Sequence, residues 1–317
     1  MIEPACLEKL EMECGALMSA HPPVLRHPHK QFAYDLCRAA GYQPTGNLNY
    51  SRWRPGPLPE ALPVDEGLVQ SHDGFYDYAS ASDSAWHVNF ADPRLFVAYG
   101  SGLLAQDEIQ VLEHPVLGSL RQALIAKRYE ATTEGSSGPT PVLVQNAERV
   151  CAIDTSPSEI SPRGLYGNRF QAASLDAVRA ALKVFAQPTR TNLIAIAAPL
   201  GSGRYSRQQI ERILTTAFTG FRAAKLVSAT SVEIHTGFWG CGAFGGNRTL
   251  MVMLQLLAAR MAQVPSVVFH LGSVSERPAF DEGRQTLQRL TKNMTSVDDL
   301  LKKIVEMRFP WGTSDGN

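Results

Sequence analysis

Apolar and polar positions follow two alternating patterns along most of the chain. Short apolar runs, of the kind found in buried strands, are separated by segments whose apolar residues recur at three- and four-residue spacing. Continuous apolar runs indicate strands covered on both faces, and the longer spacing indicates amphipathic helices. The alternation predicts an α/β layer fold, with strands expected at 86–90, 142–144, 149–153, 192–198, 231–235 and 266–271.

Polar residues mark the starts of the predicted helices. Ser and Asn side chains accept hydrogen bonds from the unpaired N–H groups of a first helical turn. The first of these helices is expected to carry Val178, Ala181, Leu182 and Phe185 on its apolar face. The four expected N-caps are Ser174, Ser206, Asn247 and Ser296.

The first 70 residues have a different texture. Two short helical patterns, at 5–19 and 29–40, precede a stretch at 43–67 that is rich in Pro and Gly and has no period. Such a composition suits a segment that wraps a surface without building a core. We therefore predict an N-terminal helical and irregular extension over residues 1–70 and a main domain over residues 71–317.

Charge and composition exclude several classes of protein. The 317 residues contain 30 basic and 30 acidic side chains, so no overall field attracts the chain to nucleic acid or to an anionic membrane. The first 20 residues lack the basic start of a signal peptide, and no apolar run approaches the ~18 residues of a membrane span. We expect a soluble, monomeric protein that works in the cytoplasm of its own cell or of a cell into which it is delivered.

Cysteine and histidine usage does not predict a metal site. The five cysteines, an odd number at wide spacings, indicate reduced thiols and neither a disulfide scaffold nor a zinc site. His27 and His29 are separated by Pro28 and have no cysteine or carboxylate nearby, so a surface loop is favoured over a ligand pair. The cysteines are Cys6, Cys14, Cys37, Cys151 and Cys241.

A glycine-rich loop lies between a predicted strand and a predicted helix. Residues 240–245 read Gly-Cys-Gly-Ala-Phe-Gly, a spacing that lets backbone N–H groups and a helix N-terminus approach a diphosphate. No Gly-Lys-Ser/Thr follows, and the strand at 266–271 ends without the acid that a dinucleotide site requires. The loop therefore favours the diphosphate of a nucleotide ligand over an NAD site. A tight connection with Trp239 and Phe244 in the core is the structural alternative.

A pair of adjacent acids is the second candidate site. Asp107 and Glu108 follow a small glycine-containing loop, at an expected helix start. Acids in a first helical turn also complement the helix dipole, so this pair alone favours a structural role.

The two segments together resemble the catalytic domain of poly(ADP-ribose) glycohydrolases, a branch of the macrodomain fold. That family carries a Val-Asp-Phe-Ala-Asn strand, a Gly-Gly-Gly stretch followed by Gln-Glu-Glu, and a Thr-Gly-Asn-Trp-Gly-Cys-Gly-Ala-Phe-Gly-Gly loop. Here the corresponding segments are VNFAD (88–92), QDE (106–108) and TGFWGCGAFGG (236–246), in the same order, with a helix at 207–221 that ends Phe-Thr-Gly-Phe. The resemblance runs from about residue 85 to 305 and implies a three-layer α/β/α fold with a mixed sheet.

The resemblance also assigns roles to residues. Glu108 takes the position of the catalytic glutamate, Asp107 that of its neighbour, and Gln106 that of a residue that positions the ribose. Tyr166 matches a family tyrosine near the adenine or ribose, although a core or turn tyrosine is an equal alternative. Neither a cofactor nor a metal is implied. The loop residues expected to hold the diphosphate and ribose are Gly240, Cys241, Gly242, Ala243, Phe244 and Gly245.

Several positions depart from the family pattern. The three glycines read Ala98-Tyr99-Gly100, so Tyr99 and Gly100 stand where backbone contacts the distal ribose. Asp92 and Phe238 replace two asparagines that contact the ligand. The strand that ends Phe-Gly-Asp in the family ends Leu-Gly-Ser at 271–273, without the aromatic expected to stack on adenine. These changes predict a reshaped cleft.

The resemblance implies hydrolysis of the glycosidic bond of ADP-ribose, with Glu108 as acid and base. The substrate is poly(ADP-ribose) or a protein that carries single ADP-ribose units, and no nucleic acid or membrane is recognised. One alternative is a non-catalytic macrodomain that binds ADP-ribose as a reader. A weaker alternative is a nucleotide-binding oxidoreductase, which would bind NAD(H) and not free ADP-ribose.

Overall fold

The computed structural model describes residues 3–64, 66–78, 84–136 and 138–316. In chain order the strands are β1 Ala5–Glu13, β2 Asn47–Arg54, β3 Leu68–His72, β4 Ala85–Ala91, β5 Glu134–Gly135, β6 Gly138–Pro139, β7 Val142–Ile153, β8 Leu182–Ala197, β9 Glu233–Gly237 and β10 Ser266–His270. The α-helices are α1 Cys14–Ala20, α2 Pro28–Ala39, α3 Gln106–Glu113, α4 Pro115–Ala126, α5 Leu175–Ala181, α6 Arg207–Val227, α7 Arg248–Met261, α8 Arg277–Thr291 and α9 Val297–Glu306.

Within the described residues, most strands join one mixed sheet in the order β1-β2-β7-β8-β4-β9-β10-β3. The strands β8, β4, β9, β10 and β3 run parallel to one another, and β1, β2 and β7 are added in antiparallel pairs. The carboxyl ends of the parallel strands therefore lie at one edge, where the loops of an α/β sheet form ligand sites.

Helices cover both faces of the sheet. On β8, Ile194 and Ile196 belong to the apolar core beneath α6 and α7, whereas Leu193 and Ala195 belong to the core beneath α1 and α4. This alternation follows from the two-residue period of a strand. The predicted three-layer α/β/α fold with a mixed sheet is confirmed.

The expected N-caps are also confirmed. The side chains of Ser174, Ser206, Asn247 and Ser296 each accept a hydrogen bond from a backbone N–H in the first turn of α5, α6, α7 and α9. Among the described residues, no helix is long and apolar enough to cross a membrane.

The end of the helix that follows Ser174 was predicted wrongly. Helix α5 ends at Ala181, and Leu182 and Phe185 belong to β8. Leu182 pairs with Ile153 of β7, and this partner is distant in sequence, so a helical period in a short window does not reveal it. The strands expected at 142–144 and 149–153 are one strand, interrupted by an irregularity at Asn146, whose φ is 62°.

The N-terminal residues contribute to the sheet and to the core. This corrects the first part of the helix expected at 5–19, of which only the end is helical, in α1, and it corrects the expectation that the stretch at 43–67 builds no core. Residues 5–13 form β1, and β2 joins it to β7. Leu48 and Tyr50 of β2 have no exposed surface. The apolar residues of β2 alternate with polar ones inside a stretch rich in Pro and Gly, which conceals the strand. The division of the chain at residue 70 stays a prediction.

His27 and His29 do not lie in a surface loop. The ring of His27 caps α2 by accepting a hydrogen bond from the His29 N–H, and Nδ1 of His29 lies 2.9 Å from the Phe170 carbonyl oxygen. Pro28 occupies the first turn of α2, where its missing N–H costs nothing.

Replacing Leu48 by Ala tests whether the N-terminal strands are integral to the domain. Removing a buried leucine side chain costs about 2–5 kcal/mol, so the single unfolding transition should move to markedly lower denaturant. Leu7→Ala, at a β1 residue that is 41% exposed, is the matched control and should have little effect. A Leu48→Ala variant with an unchanged midpoint, measured by urea denaturation and circular dichroism, would contradict this role.

Candidate active site

A cleft of about 570 Å³ opens at the carboxyl edge of the parallel strands. Its walls are the start of α3, the glycine loop between β9 and α7, and the segment before β4. The acid pair and the glycine loop, about 130 positions apart in sequence, therefore face the same space. The predicted site residues that line it are Asp92, Gln106, Asp107, Glu108, Tyr166, Phe238, Gly240, Cys241, Gly242, Ala243 and Phe244.

The acid pair is held in the first turn of α3. The side chains of Asp107 and Glu108 are 6% and 4% exposed. Oε2 of Glu108 accepts a hydrogen bond of 3.1 Å from the Ala105 N–H, and Oδ1 of Asp107 accepts one of 3.0 Å from Nδ2 of Asn89. Both carboxyls thus have a fixed partner at the protein side of the cleft.

Gln106 connects this turn to the sheet. Its Oε1 accepts a hydrogen bond of 2.8 Å from the Phe90 N–H, and its Nε2 donates one of 3.0 Å to the Val88 carbonyl. Gln106 therefore replaces a neighbouring strand for these two backbone groups of β4. Both polar groups of the Gln106 amide are thus engaged by β4. Its contact with a ribose stays a prediction.

Burial raises the pKa of both acids. For Asp107 the charge of Glu108 raises the pKa further, and the hydrogen bond from Asn89 opposes this shift. For Glu108 the positive charge of Lys30 and backbone hydrogen bonds oppose the effect of burial. A carboxyl with a raised pKa can carry a proton near neutral pH, as a general acid requires.

The glycine loop is a series of tight turns. The Gly245 N–H donates to the Gly242 carbonyl at 3.0 Å, and the Gly246 N–H donates to the Gly240 carbonyl at 2.8 Å. Trp239 anchors the loop in the core, where its Nε1 donates to the Ile196 carbonyl at 3.0 Å. The ring of Phe244 lines the cleft and is only partly buried.

The glycines of this loop have different reasons to be glycine. A Cβ on Gly240 would lie 2.4 Å from Cβ of Ala198, and one on Gly246 would lie 2.7 Å from the Gly240 carbonyl oxygen. Gly245 has a φ of 63° and packs on the backbone of residues 312–314 without lining the cleft. Close packing of the loop therefore explains these three glycines, as expected for the alternative of a tight structural connection. Gly242 differs, because a Cβ there would point at the flexible Asp315 carboxylate, 3.0 Å away.

Besides Gly245, two predicted binding residues, Tyr99 and Gly100, lie outside the cleft. The hydroxyl of Tyr99 accepts a hydrogen bond of 2.6 Å from the Val24 N–H and one from Gln122, and its side chain is buried. Gly100 packs against the backbone of residues 24–26, where a Cβ would lie 2.2 Å from the Val24 oxygen. Tyr99 and Gly100 therefore hold the N-terminal segment, whereas Ala98, the first residue of the replaced glycine stretch, lines the cleft together with Val97.

Aromatic rings form further parts of the cleft wall. Tyr166 stacks on Phe75, with centroids 5.8 Å apart and an interplanar angle of 6°. Burial raises the pKa of Tyr166 to about 12, helped by the charges of Asp315 and Glu108. Phe238 packs edge-on against Phe269, and the guanidinium of Arg248 lies 5.8 Å from its ring centroid. Phe75 was not predicted, because nothing in the sequence around it forms a motif.

A segment near the end of the chain also reaches the cleft. The Gly312 N–H donates to the Gly245 carbonyl at 2.7 Å, and the Asp315 N–H donates to the Gly242 carbonyl at 3.3 Å. The carbonyl of Gly316 accepts a hydrogen bond from Asn168. Residues 312–316 therefore lie along the glycine loop, and Asp315 lines the cleft. Sequence reasoning missed this segment because it has no regular element.

A buried lysine lies behind the acid pair. Lys30 of α2 is 2% exposed, and its Nζ lies 3.5 Å from the Glu108 carbonyl oxygen. Lys30 lies within the helical pattern expected at 29–40, but nothing in that pattern indicates that its side chain is buried. Within the described ranges, no group of three or more His, Cys, Asp or Glu side chains could hold a metal ion.

The sequence is similar to known poly(ADP-ribose) glycohydrolases. Residues 143–276 match the family model described as poly (ADP-ribose) glycohydrolase, macro domain fold. A protein of Arabidopsis thaliana named probable poly(ADP-ribose) glycohydrolase 2 is 33% identical over 75 residues, which are 24% of this chain and 14% of that protein. Poly(ADP-ribose) glycohydrolase 1 of Caenorhabditis elegans is 30% identical over 81 residues, 26% of this chain and 10% of that protein.

Solved structures share the fold. The poly(ADP-ribose) glycohydrolase of Thermomonospora curvata superposes with a TM-score of 0.52 at 15% identity, over 81% of this chain and all of that one. The same enzyme bound to the inhibitor ADP-HPD gives the same TM-score and identity, over 81% of this chain and 99% of that one. Together with the family match, this likeness confirms the predicted resemblance to the poly(ADP-ribose) glycohydrolase catalytic domain and shows that the chain has the macrodomain fold.

Proposed function

We propose that this protein hydrolyses the glycosidic bond of ADP-ribose, with Glu108 as acid and base. The observation that carries the proposal is the meeting of the buried acid pair and the glycine loop in one cleft. Its volume of about 570 Å³ lies within the ~300–1,000 Å³ of small-molecule sites, which suits a nucleotide-sized ligand. The family match supports the same reaction.

The chemistry needs a proton donor, a fixed substrate and a water molecule. Protonated Glu108 gives its proton to the departing oxygen as the bond to the anomeric carbon breaks, through an oxocarbenium-like transition state. Water then adds to the anomeric carbon and returns a proton to Glu108. The diphosphate, held at the exposed side of Gly242 and Ala243, positions the sugar for this step. Because water returns the proton that Glu108 donates, this reaction needs neither a metal nor a cofactor.

Poly(ADP-ribose) and protein-linked single ADP-ribose units are both candidate substrates. The curated relatives and the Thermomonospora enzyme are named for the polymer. The altered wall at Val97 and Ala98, where Tyr99 turns away from the cleft, supports a ribose site that differs from theirs. Cytoplasmic location and a monomeric state belong to the same proposal, and the five free cysteines support a reducing compartment.

The reader alternative has one specific observation in its favour. Oε2 of Glu108 accepts a hydrogen bond from the Ala105 N–H, which is a structural role that a non-catalytic domain would also keep. Binding and turnover must therefore be measured separately.

Glu108→Gln separates a hydrolase from a reader. We expect turnover of ADP-ribosylated protein or polymer to fall by about 10²–10⁴, because general acid–base catalysis contributes that much. The ADP-ribose Kd from calorimetric titration should change by less than about threefold, since the glycine loop is intact. Glu211→Gln, at a partly exposed residue of α6 outside the cleft, is the control. Full activity of the Glu108 variant would refute the acid and base assignment.

Gly242→Val tests the diphosphate role of the loop. A side chain at this position meets only the flexible end of Asp315, so the domain should fold with a nearly unchanged melting temperature. We expect ADP-ribose affinity to fall at least about tenfold, which is about 1.4 kcal/mol. Gly246→Val, where a Cβ would lie 2.7 Å from a backbone oxygen, should instead destabilise the fold. Unchanged affinity in the Gly242 variant would make the loop purely structural.

Asp107→Asn tests the raised pKa of the buried acid through stability. Burial raises the folded-state pKa of Asp107 above its ordinary value of about 3.9. The contribution of Asp107 to the free energy of unfolding is therefore full below pH ~3.9 and is lost as pH rises through the folded-state pKa. The neutral variant should therefore melt at a higher temperature than the wild type at pH 7, and this advantage should vanish near pH 4. Asp176→Asn, at an exposed acid of α5 outside the cleft, is the control. An advantage that does not depend on pH would point to packing instead.

A further inference from the structure

Lys30 is a cation in a place where a cation is costly. Its side chain is almost fully buried, and ammonium groups are rarely buried without a charged partner. Its Nζ contacts the Glu108 carbonyl oxygen at 3.5 Å and the ring of Phe170, whose centroid is 5.5 Å away. Neither contact carries a full negative charge. A methionine of similar length would fill the same space without this cost, so the charge needs another explanation.

The charged groups that interact with Lys30 are the two acids of α3. Burial lowers the pKa of Lys30 to about 8, and the charges of Glu108 and Asp107 oppose this shift. Lys30 in turn lowers the pKa of both acids against the effect of burial. The interaction therefore joins one buried cation to two buried carboxyls.

Charge balance determines the favoured state of this group. With Lys30 charged and both acids ionised, the buried group has a net charge of −1. With one proton shared between Asp107 and Glu108, the net charge is zero, which a poorly solvated site favours. Without Lys30, the neutral state would require a proton on each acid, and no carboxylate would remain.

Lys30 acts from the protein side. It does not line the cleft of the acid pair, and it borders a small gap on the other side of α3, next to Tyr34 and Tyr99. It therefore does not touch a ligand in the cleft.

We propose that Lys30 is a positioning residue that holds Asp107 and Glu108 in the state with one shared proton, so that one carboxyl is an acid while the other stays charged. This inference rests on the proposed hydrolase function for its kinetic consequence only. The α2 helix thereby belongs to the active site, although it lies in the segment expected to be an extension.

Other groups face the pair and must stay constant in a test. The charge of Asp92 after β4 raises the pKa of both acids. Asp107 in turn raises the pKa of Arg121 on α4, against the dominant effect of burial. Beside the start of α3, the hydroxyl of Tyr166 stays neutral below pH ~10, since its pKa is raised to about 12. Lys30 is the group to vary.

The pH profile of kcat/KM is the first test. Lys30→Met should move the midpoint of the limb governed by the acid pair upward by at least about one pH unit, because the carboxylates lose a stabilising charge. Lys30→Arg should keep the wild-type midpoint. Because arginine stays charged above pH 8, where Lys30 itself loses its proton, the stabilising charge should also be present at higher pH in this variant. Arg38→Met, at an exposed cation of the same helix, should leave the profile unchanged. A Lys30→Met profile with the wild-type midpoint and a uniformly lower rate would overturn the proposal.

A second measurement does not need activity. In protein with ¹³C-labelled Asp and Glu carboxyls, the signals of Asp107 and Glu108 are identified by their loss in Asp107→Asn and Glu108→Gln. Titration of Glu108→Gln alone and of Glu108→Gln with Lys30→Met or Lys30→Arg follows Asp107 directly. A pKa raised by Lys30→Met and restored by Lys30→Arg supports the proposal, even if the wild type proves to be a reader. Equal Asp107 titrations in all three proteins would refute it.

Discussion

The two hydrogen bonds between the Gln106 amide and the backbone of β4 are the constraint on which the site depends. They fix the first turn of α3 against the edge of a central parallel strand. Asp107 and Glu108 follow directly in this turn, so their burial and orientation are consequences of the same attachment. Asn89 on β4 completes the arrangement from the strand side by donating to Asp107. The acid pair is thus positioned by the sheet and not by a flexible loop.

The opposite side of the cleft is built by a different principle. Gly240, Gly245 and Gly246 permit close backbone packing, and Trp239 fixes the loop in the core. Gly242 differs, because a side chain at this position would point toward the Asp315 carboxylate, which lines the cleft. A rigid loop with one open face suits a ligand that interacts with backbone, because little further ordering is needed on binding.

Local signals in the sequence were sufficient for the helix caps and the central strands, whereas the acid pair and the glycine loop, which line one cleft, were connected only through the family resemblance. The caps at Ser206 and Asn247 and the apolar run at 192–198 depend on neighbouring residues, and the structure confirms them. The N-terminal strands depend on pairing between distant segments, which no short window reveals. The burial of Lys30 and the turn of Tyr99 toward Val24 depend on how those segments pack, so sequence reasoning missed both.

Residues 312–316 cover part of the surface of the glycine loop. Their hydrogen bonds to Gly242 and Gly245 place Asp315 beside the face that a ligand of the loop would use. A ligand that uses the Gly242 side of the loop must displace Asp315 or share the space with it. If displacement is required and about one molecule in ten has the segment displaced, the apparent affinity is about tenfold weaker than the intrinsic one.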